Sequence, residues 1–328
     1  MLNRLPWICL LPLALLIFAG FGRSAGAVTL QDGDLVVVDA GRVAPPVAPS
    51  VIRIDPVTGA QEVVSSGGLL VAPAAIAIEA TGMVLVSDSG AATGQGAVLR
   101  IDPTDGAQTV LSGSYQALLG LTIAPGSGAI FVTDTMQAAV LRVDPSTGTP
   151  SPVSSGTLLH FPRAITAAPN GLLYVADSSS AGSAASSVVQ IDPLTGAQSA
   201  FSSGSPSVGG LAASPGTLWL ADATGHSILR EDISTATSSP VSSGGDLVFP
   251  FALAVEYGGR LAVADWGDGA VEPAIVRVNR TNGGQSIVSH GGYLIEPWGV
   301  AVVPEPSDWI LMLGCVATLS WLRRSRAS

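Results

Sequence analysis

Six copies of one short pattern run through the chain, and they leave little freedom in how it can fold. They read VIRIDPVTGAQEVVSSGG from Val51, VLRIDPTDGAQTVLSGS from Val98, VLRVDPSTGTPSPVSSG from Val140, VVQIDPLTGAQSAFSSGS from Val188, ILREDISTATSSPVSSGG from Ile228 and IVRVNRTNGGQSIVSHGG from Ile275. They recur about every 45 residues, the length of a propeller blade. Upstream of each copy stands a short apolar run ending in aspartate: GDLVVVD, GMVLVSD, GAIFVTD, GLLYVAD, GTLWLAD and GRLAVAD, closing on Asp39, Asp88, Asp134, Asp177, Asp222 and Asp265. Their apolar residues are consecutive and not alternating, as expected of a strand buried on both faces.

A third element precedes most of these runs, as in PAAIAIEATG from Pro73, PRAITAAPNG from Pro162, PFALAVEYGG from Pro250 and PWGVAVVPEP from Pro297. Proline at the mouth of a strand is tolerated because its missing N–H lies outside the ladder. Each unit therefore reads as four strands, and the expected fold is an all-β, six-bladed β-propeller of four-stranded blades. The first unit has little room for an innermost strand after Val28, whereas PWGVAVV is left over after the sixth. The economical solution closes the ring by pairing Trp298–Val303 beside Asp34–Asp39, which removes exposed sheet edges.

Composition agrees with turn-rich β structure: 328 residues with 39 Gly, 23 Pro and 12% charged side chains. The net charge is -10 and all 14 basic residues are arginine, so lysine chemistry is excluded. Without a basic stripe, a nucleic-acid partner is not expected. There is no G-x-S-x-G, no H-E-x-x-H and no paired-cysteine metal site. No catalytic residue and no metal ligand is assigned.

The two ends read differently from the body. MLNRLPWICLLPLALLIFAGFGRSAGA has Arg4, an apolar run from Leu5 to about Phe21, and the small-residue site Ala25, Gly26, Ala27. This is the layout of a secretory signal peptide, 1–27, cleaved before Val28. Cys9 falls in that segment and Cys315 in the tail, so no disulfide is expected in the body. The far end reads VPEPSDWILMLGCVATLSWLRRSRAS from Val303: the triplet Pro304, Glu305, Pro306, an apolar run from Trp309 to Leu322 read as a short hydrophobic helix, then Arg323, Arg324 and Arg326. Arginines after the run favour a cytoplasmic C-terminus with the body outside. At about 14 residues the run is shorter than the roughly 20 of a permanent span, which suits a transient inner-membrane intermediate.

This order of motif, apolar segment and arginines closely resembles the PEP-CTERM sorting signal of Gram-negative bacteria, here 304–328. The resemblance implies an exosortase-type processing enzyme as partner, a cell-surface or extracellular address, and association with exopolysaccharide or a matrix protein.

Within the body, the repeated carboxylates read as structural. Asp39, Asp88, Asp134, Asp177, Asp222 and Asp265 end strands where they can accept turn N–H groups, and Asp55, Asp102, Asp144 and Asp192 open D-P-x-x-G hairpins. Arg53, Arg100, Arg142, Arg230 and Arg277 repeat on the third strand, where a long side chain can reach a neighbouring carboxylate or stay partly solvated. SGAATGQGA from Ser89 and SSSAGSAASS from Ser178 read as flexible loops.

A single-use site belongs where the repeat breaks. After the strand-opening proline stand Ala74, Arg163, Phe251 and Trp298, near the expected axial mouth, with His160 and Phe161, His226, Trp266, Asp268 and Glu296 around them. Aromatic rings and a few polar groups at a concave mouth suit a sugar or small polar ligand.

Within the propeller body, 28–303, residues 33–303 resemble the six-bladed propellers that include NHL-repeat proteins, the gluconolactonase family and the streptogramin lyases. The V-x-D strand ends and L-R-I-D-P-x-T-G hairpins that carry this likeness imply a fold and not an activity. Gluconolactonase-like members hold a divalent metal, but their early G-E-G-P segment is replaced here by QDGDLVVVD. Lyase-like members use a histidine and an acid near a metal, for which His226, His290, Asp268 or Glu296 are available without matching a motif. Two readings follow. One is a monomeric, non-enzymatic binding scaffold for polysaccharide or protein, without cofactor. The alternative is a secreted lactonase or lyase dependent on a divalent metal.

Overall fold

The computed structural model describes residues 27–91, 94–178, 186–205 and 207–305. The N-terminal segment read as a signal peptide, up to residue 26, most of the loop beginning at Ser178, and the tail from Pro306 all lie outside the described residues.

Six four-stranded antiparallel sheets form a ring, as the repeat predicts. The innermost strands follow one another around the axis as Pro73–Ile78, Leu118–Ile123, Pro162–Ala167, Val208–Ser214, Pro250–Glu256 and Pro297–Val302, the last packing against the first. They belong to blades 2, 3, 4, 5, 6 and 1 respectively. Blade 1 is the composite one: Pro297–Val302 pairs with Leu35–Asp39, register Leu35 to Val302, followed by Ser50–Ile54 and Gln61–Ser66. Val303 lies just past the strand and still bonds Asp34 and Gly33, at 2.9 and 3.0 Å.

Second strands such as Leu35–Asp39 and Val84–Asp88 are buried at every position, which explains their unbroken apolar runs. Outer strands such as Pro150–Ser155 are mostly exposed and polar. The apolar core is accordingly a set of layers between neighbouring blades.

Each second-strand aspartate caps its own turn or clasps the loop entering the innermost strand, and several do both. Asp88 accepts from Gly90 N (2.9 Å), Val71 N (2.8 Å) and Ala72 N (3.1 Å). Asp39 accepts from Gly41, Ile295 and Glu296, so the same clasp ties the two ends of the ring. Asp134, Asp177 and Asp265 repeat the arrangement, and Asp222 accepts from Gly225 N at 2.9 Å.

At the outer strands a glutamine bonds across each of four seams. Gln108 donates to Ser65 and Gly67 of the preceding blade and accepts from Leu69 N; Gln61, Gln198 and Gln285 act alike toward blades 6, 3 and 5. Pro150 and Ser238 stand at the matching repeat positions of blades 3 and 5 and form no such bond. On the face opposite the aspartates, Arg100 chelates Glu79 at 2.7 and 2.8 Å and reaches Pro145 O, and Arg277 does the same with Glu256 and Pro56 O. Arg53 pairs with Asp34, whereas Arg142 and Arg230 are exposed.

The seam between blades 4 and 5 departs furthest from the repeat. Ala236, with φ of 53°, stands where most blades have a glycine at positive φ. Glu231, 1% exposed, occupies the position held elsewhere by buried Ile54, Ile101, Val143, Ile191 and Val278. Its Oε2 and the nearby Ser202 Oγ both fall short of hydrogen-bond geometry. Burial raises the Glu231 carboxyl above its ordinary range, and the Ser202 hydroxyl offsets this only in part.

Two outcomes follow from this packing. The folded chain protonates Glu231 at a higher pH than the unfolded chain does, so this residue's contribution is greatest below its unfolded pKa and is lost as pH rises through the folded one. Glu231→Ile should therefore raise stability by about 1–2 kcal/mol at neutral pH, with the gain shrinking in acid, as read by urea unfolding at several pH values. Asp88→Ala leaves three backbone N–H groups without an acceptor and should cost about 2–4 kcal/mol in the same assay.

Candidate functional site

All six innermost strands begin with a residue paired to an aspartate of the ring: Pro73 with Asp88, Leu118 with Asp134, Pro162 with Asp177, Val208 with Asp222, Pro250 with Asp265 and Pro297 with Asp39. The register then shifts in every blade, leaving an extra residue next to that opening residue. A bulge of this kind frees a side chain from the ladder and re-aims it. Ala74, Leu119, Arg163, Gly209, Phe251 and Trp298 occupy the bulges, and all six line one axial cavity of about 360 Å³.

The rest of that lining consists of small and aliphatic residues with Thr122 and Thr166. Arg163 is its single charged side chain. Its guanidinium lies over the Phe251 ring, 6.0 Å from the centroid, and burial pulls its pKa below the ordinary arginine value.

Phe251 stacks on Trp266 at 4.2 Å and meets Trp298 edge-on at 4.9 Å, and Phe249 also stacks on Trp266, at 5.3 Å. Trp266 follows the ring aspartate of blade 6, and its indole N–H donates to Pro297 O at 2.8 Å, joining blade 6 to the closing strand. The Trp298 indole nitrogen is buried without an acceptor among the described residues. The mouth thus has an aromatic wall on blades 6 and 1 and one cation from blade 4.

Blade 5 lies between them and makes room. A Cβ on Gly209 would stand 2.5 Å from Phe251 O, and one on Gly210 would stand 2.8 Å from Ala252 Cα. Neither glycine has positive φ, so close approach of the neighbouring strand is what requires them.

Of the residues singled out in the sequence, the structure brings Arg163, Phe251, Trp266 and Trp298 together. His160, His226, Asp268 and Glu296 do not line the cavity. The His160 ring is exposed, with Nδ1 3.2 Å from Leu158 O and 3.6 Å from Asp177. The His226 ring bonds the Val248 carbonyl across to blade 6. Asp268 caps a turn by accepting from Ala270 and Val271, bonds that hold its pKa below the usual range. Glu296 is exposed and gives its backbone N–H to Asp39. Burial raises Asp39, Asp177 and Asp265, against the pull of the N–H bonds they accept. Among the described residues no group of three or more His, Cys, Asp or Glu is placed to hold a metal.

Sequence reasoning missed Phe249 and the Gly209–Gly210 pair. The legible signal was Gly-Gly inside a strand, a mark of close backbone approach.

The first two residues of the triplet read from the sequence as a sorting motif, Pro304 and Glu305, lie at the other end of the axis. Innermost strands start at the mouth and run away from it, so Val303, Pro304 and Glu305 leave at the opposite face, where Glu305 N donates to Tyr257 Oη at 2.6 Å. Pro306, Arg323, Arg324 and Arg326 lie outside the described residues.

No protein-family model matches the sequence, and a search of curated proteins gives no match. Among solved structures, the chain is similar to one from the crystal structure of a nidogen/laminin complex, with a TM-score of 0.68 and 15% identity over 82% of this chain and 98% of that one. A likeness at this identity shows the propeller fold.

Gly209→Ala should force the Phe251 backbone away and cost about 1–3 kcal/mol in unfolding. Near-UV circular dichroism should report the disturbed aromatic cluster, and an unchanged spectrum with unchanged stability would remove the close approach from the account.

Proposed function

We propose that this chain is an exported, non-enzymatic binding propeller that presents its axial mouth to polysaccharide or protein of an extracellular matrix. The observation carrying this reading is the mouth itself, in which the bulge positions gather Phe251, Trp298 and Arg163 over an axial cavity. Aromatic walls with few polar groups suit partial burial of a sugar or side chain. The similar solved chain comes from a nidogen/laminin complex, which is in keeping with a binding role.

The address is part of the proposal. The N-terminal segment acts as an export signal, and Pro304, Glu305 and Pro306 with Arg323, Arg324 and Arg326 act as a sorting tail read by an exosortase-type enzyme at the inner membrane. The tail leaves from the face opposite the mouth. A propeller held by that tail turns its mouth outward, toward matrix.

Full-length protein passed over immobilised neutral and acidic polysaccharides should be retained by at least one, and Phe251→Ala with Trp298→Ala should weaken retention roughly tenfold. Wild-type protein that none retains, or retention indifferent to both substitutions, overturns the polysaccharide role. Replacing Pro304, Glu305 and Pro306 by alanine should leave an unprocessed form in the membrane fraction; unchanged processing would separate the tail from the sorting role.

A further inference from the structure

We propose that the axial mouth is a carboxylate site in which Arg163 receives the acid group of a sugar acid whose ring lies among the mouth aromatics. This rests on the reading of the mouth as a binding site and names the chemistry of what it takes.

Arg163 differs in its surroundings from the repeat arginines that turn inward. Arg53, Arg100 and Arg277 each meet a carboxylate, and Arg100 and Arg277 also a backbone carbonyl. The Arg163 guanidinium meets neither among the described residues, and its one close partner is the face of Phe251. A guanidinium carries five N–H donors in a planar fork and keeps its charge at any physiological pH. A ring beneath it satisfies the π face but leaves the N–H edge free to bond.

The nearby carboxylates do not supply the missing acceptor. Asp39, Asp88, Asp134, Asp177 and Asp265 circle the mouth, yet each is engaged with backbone N–H groups of the entering loops. The edge of Arg163 is therefore offered to the cavity, where no other lining residue is charged.

The form of the anion follows from the count. One guanidinium without a second cation matches a single negative charge, and its fork matches two coplanar oxygens, so a carboxylate fits better than a phosphate dianion. Cations are disfavoured by the same charge. A cavity of about 360 Å³ has room for a monosaccharide. A pyranose ring brings C–H faces to aromatic walls, which a bare acid such as acetate lacks.

The test is a titration of the full-length protein, followed by tryptophan fluorescence because Trp266 and Trp298 stand in the mouth. Sodium glucuronate, sodium acetate, glucose and inorganic phosphate are compared at constant ionic strength. Glucuronate should give a saturable change, acetate a weaker one, and glucose none in the same range. Arg163→Gln should weaken glucuronate roughly tenfold or more. Arg163→Lys keeps the charge without the planar fork and should lose severalfold, which keeps the test informative if the glutamine variant fails to fold.

Acetate binding as tightly as glucuronate retains the carboxylate but removes the sugar ring. Equal responses to glucose and glucuronate, tighter binding of phosphate, no saturable response, or wild-type affinity in both folded variants overturns the assignment. Polysaccharide retention without a glucuronate response leaves the binding role standing and removes only the acid. A glucuronate response without polysaccharide retention does the reverse.

Discussion

The ring depends on a carboxylate buried at the end of every second strand. An aspartate there is awkward for a fold, since burial disfavours the charged form and raises Asp39, Asp177 and Asp265 above their ordinary range. What makes it tolerable is the supply of N–H groups. At Asp88 the turn that follows offers one, and the loop entering the innermost strand offers two, all otherwise unpaired. The aspartate and the loop thus solve each other's problem. The mouth is ordered as a by-product, because the loops fixed this way carry the bulge residues. In blade 1 the clasp joins residues 39 and 295–296, so it serves as the ring's closure as well.

Away from the axis, the seams are joined less uniformly. Layers of apolar residues lie between the blades and supply the general attraction. Glutamine bonds across four seams add direction, and the Arg100 and Arg277 chelates add two more ties on the opposite face. Between blades 4 and 5 these devices lapse together: Ser238 replaces the glutamine, Ala236 takes a glycine's conformation and Glu231 sits in an aliphatic position. A closed ring can carry one poorly joined seam because blades 4 and 5 each remain packed against their other neighbour.

The blade count, the strand order and the closing strand were legible because each rests on a local pattern that the fold repeats. Consecutive apolar residues before Asp88 or Asp265 require burial on both faces, and PWGVAVV had a single vacancy to fill. The site was legible only in part. That the residue after the opening proline mattered could be read from Ala74, Arg163, Phe251 and Trp298, which differ where the rest of the strand does not. That it sits in a bulge could not, because a bulge is a property of register between two strands and leaves no trace in either alone. His226 and Glu296 looked like site residues for want of that knowledge; one spends its ring on Val248 O and the other its N–H on Asp39. The glutamines were visible as a repeated letter, but their partners lie about 40 residues away in another blade or, for Gln61, across the ring closure.

The bulge explains why chemistry can vary at the mouth while the blade stays constant. A residue of the innermost strand that stays in the ladder is held in register with the second strand and its side chain packs toward the next blade, so a change there disturbs two sheets. The bulge residue escapes the register, and its side chain enters the axial cavity, where alanine, leucine, glycine, phenylalanine, tryptophan and arginine all occur in one ring. One dependence remains between them. Arg163 can rest over Phe251 two blades away only because blade 5 contributes Gly209 and no side chain. The mouth's cation and its aromatic wall are therefore a single unit spread over three blades, and the glycine between them is as much a part of it as the groups that touch.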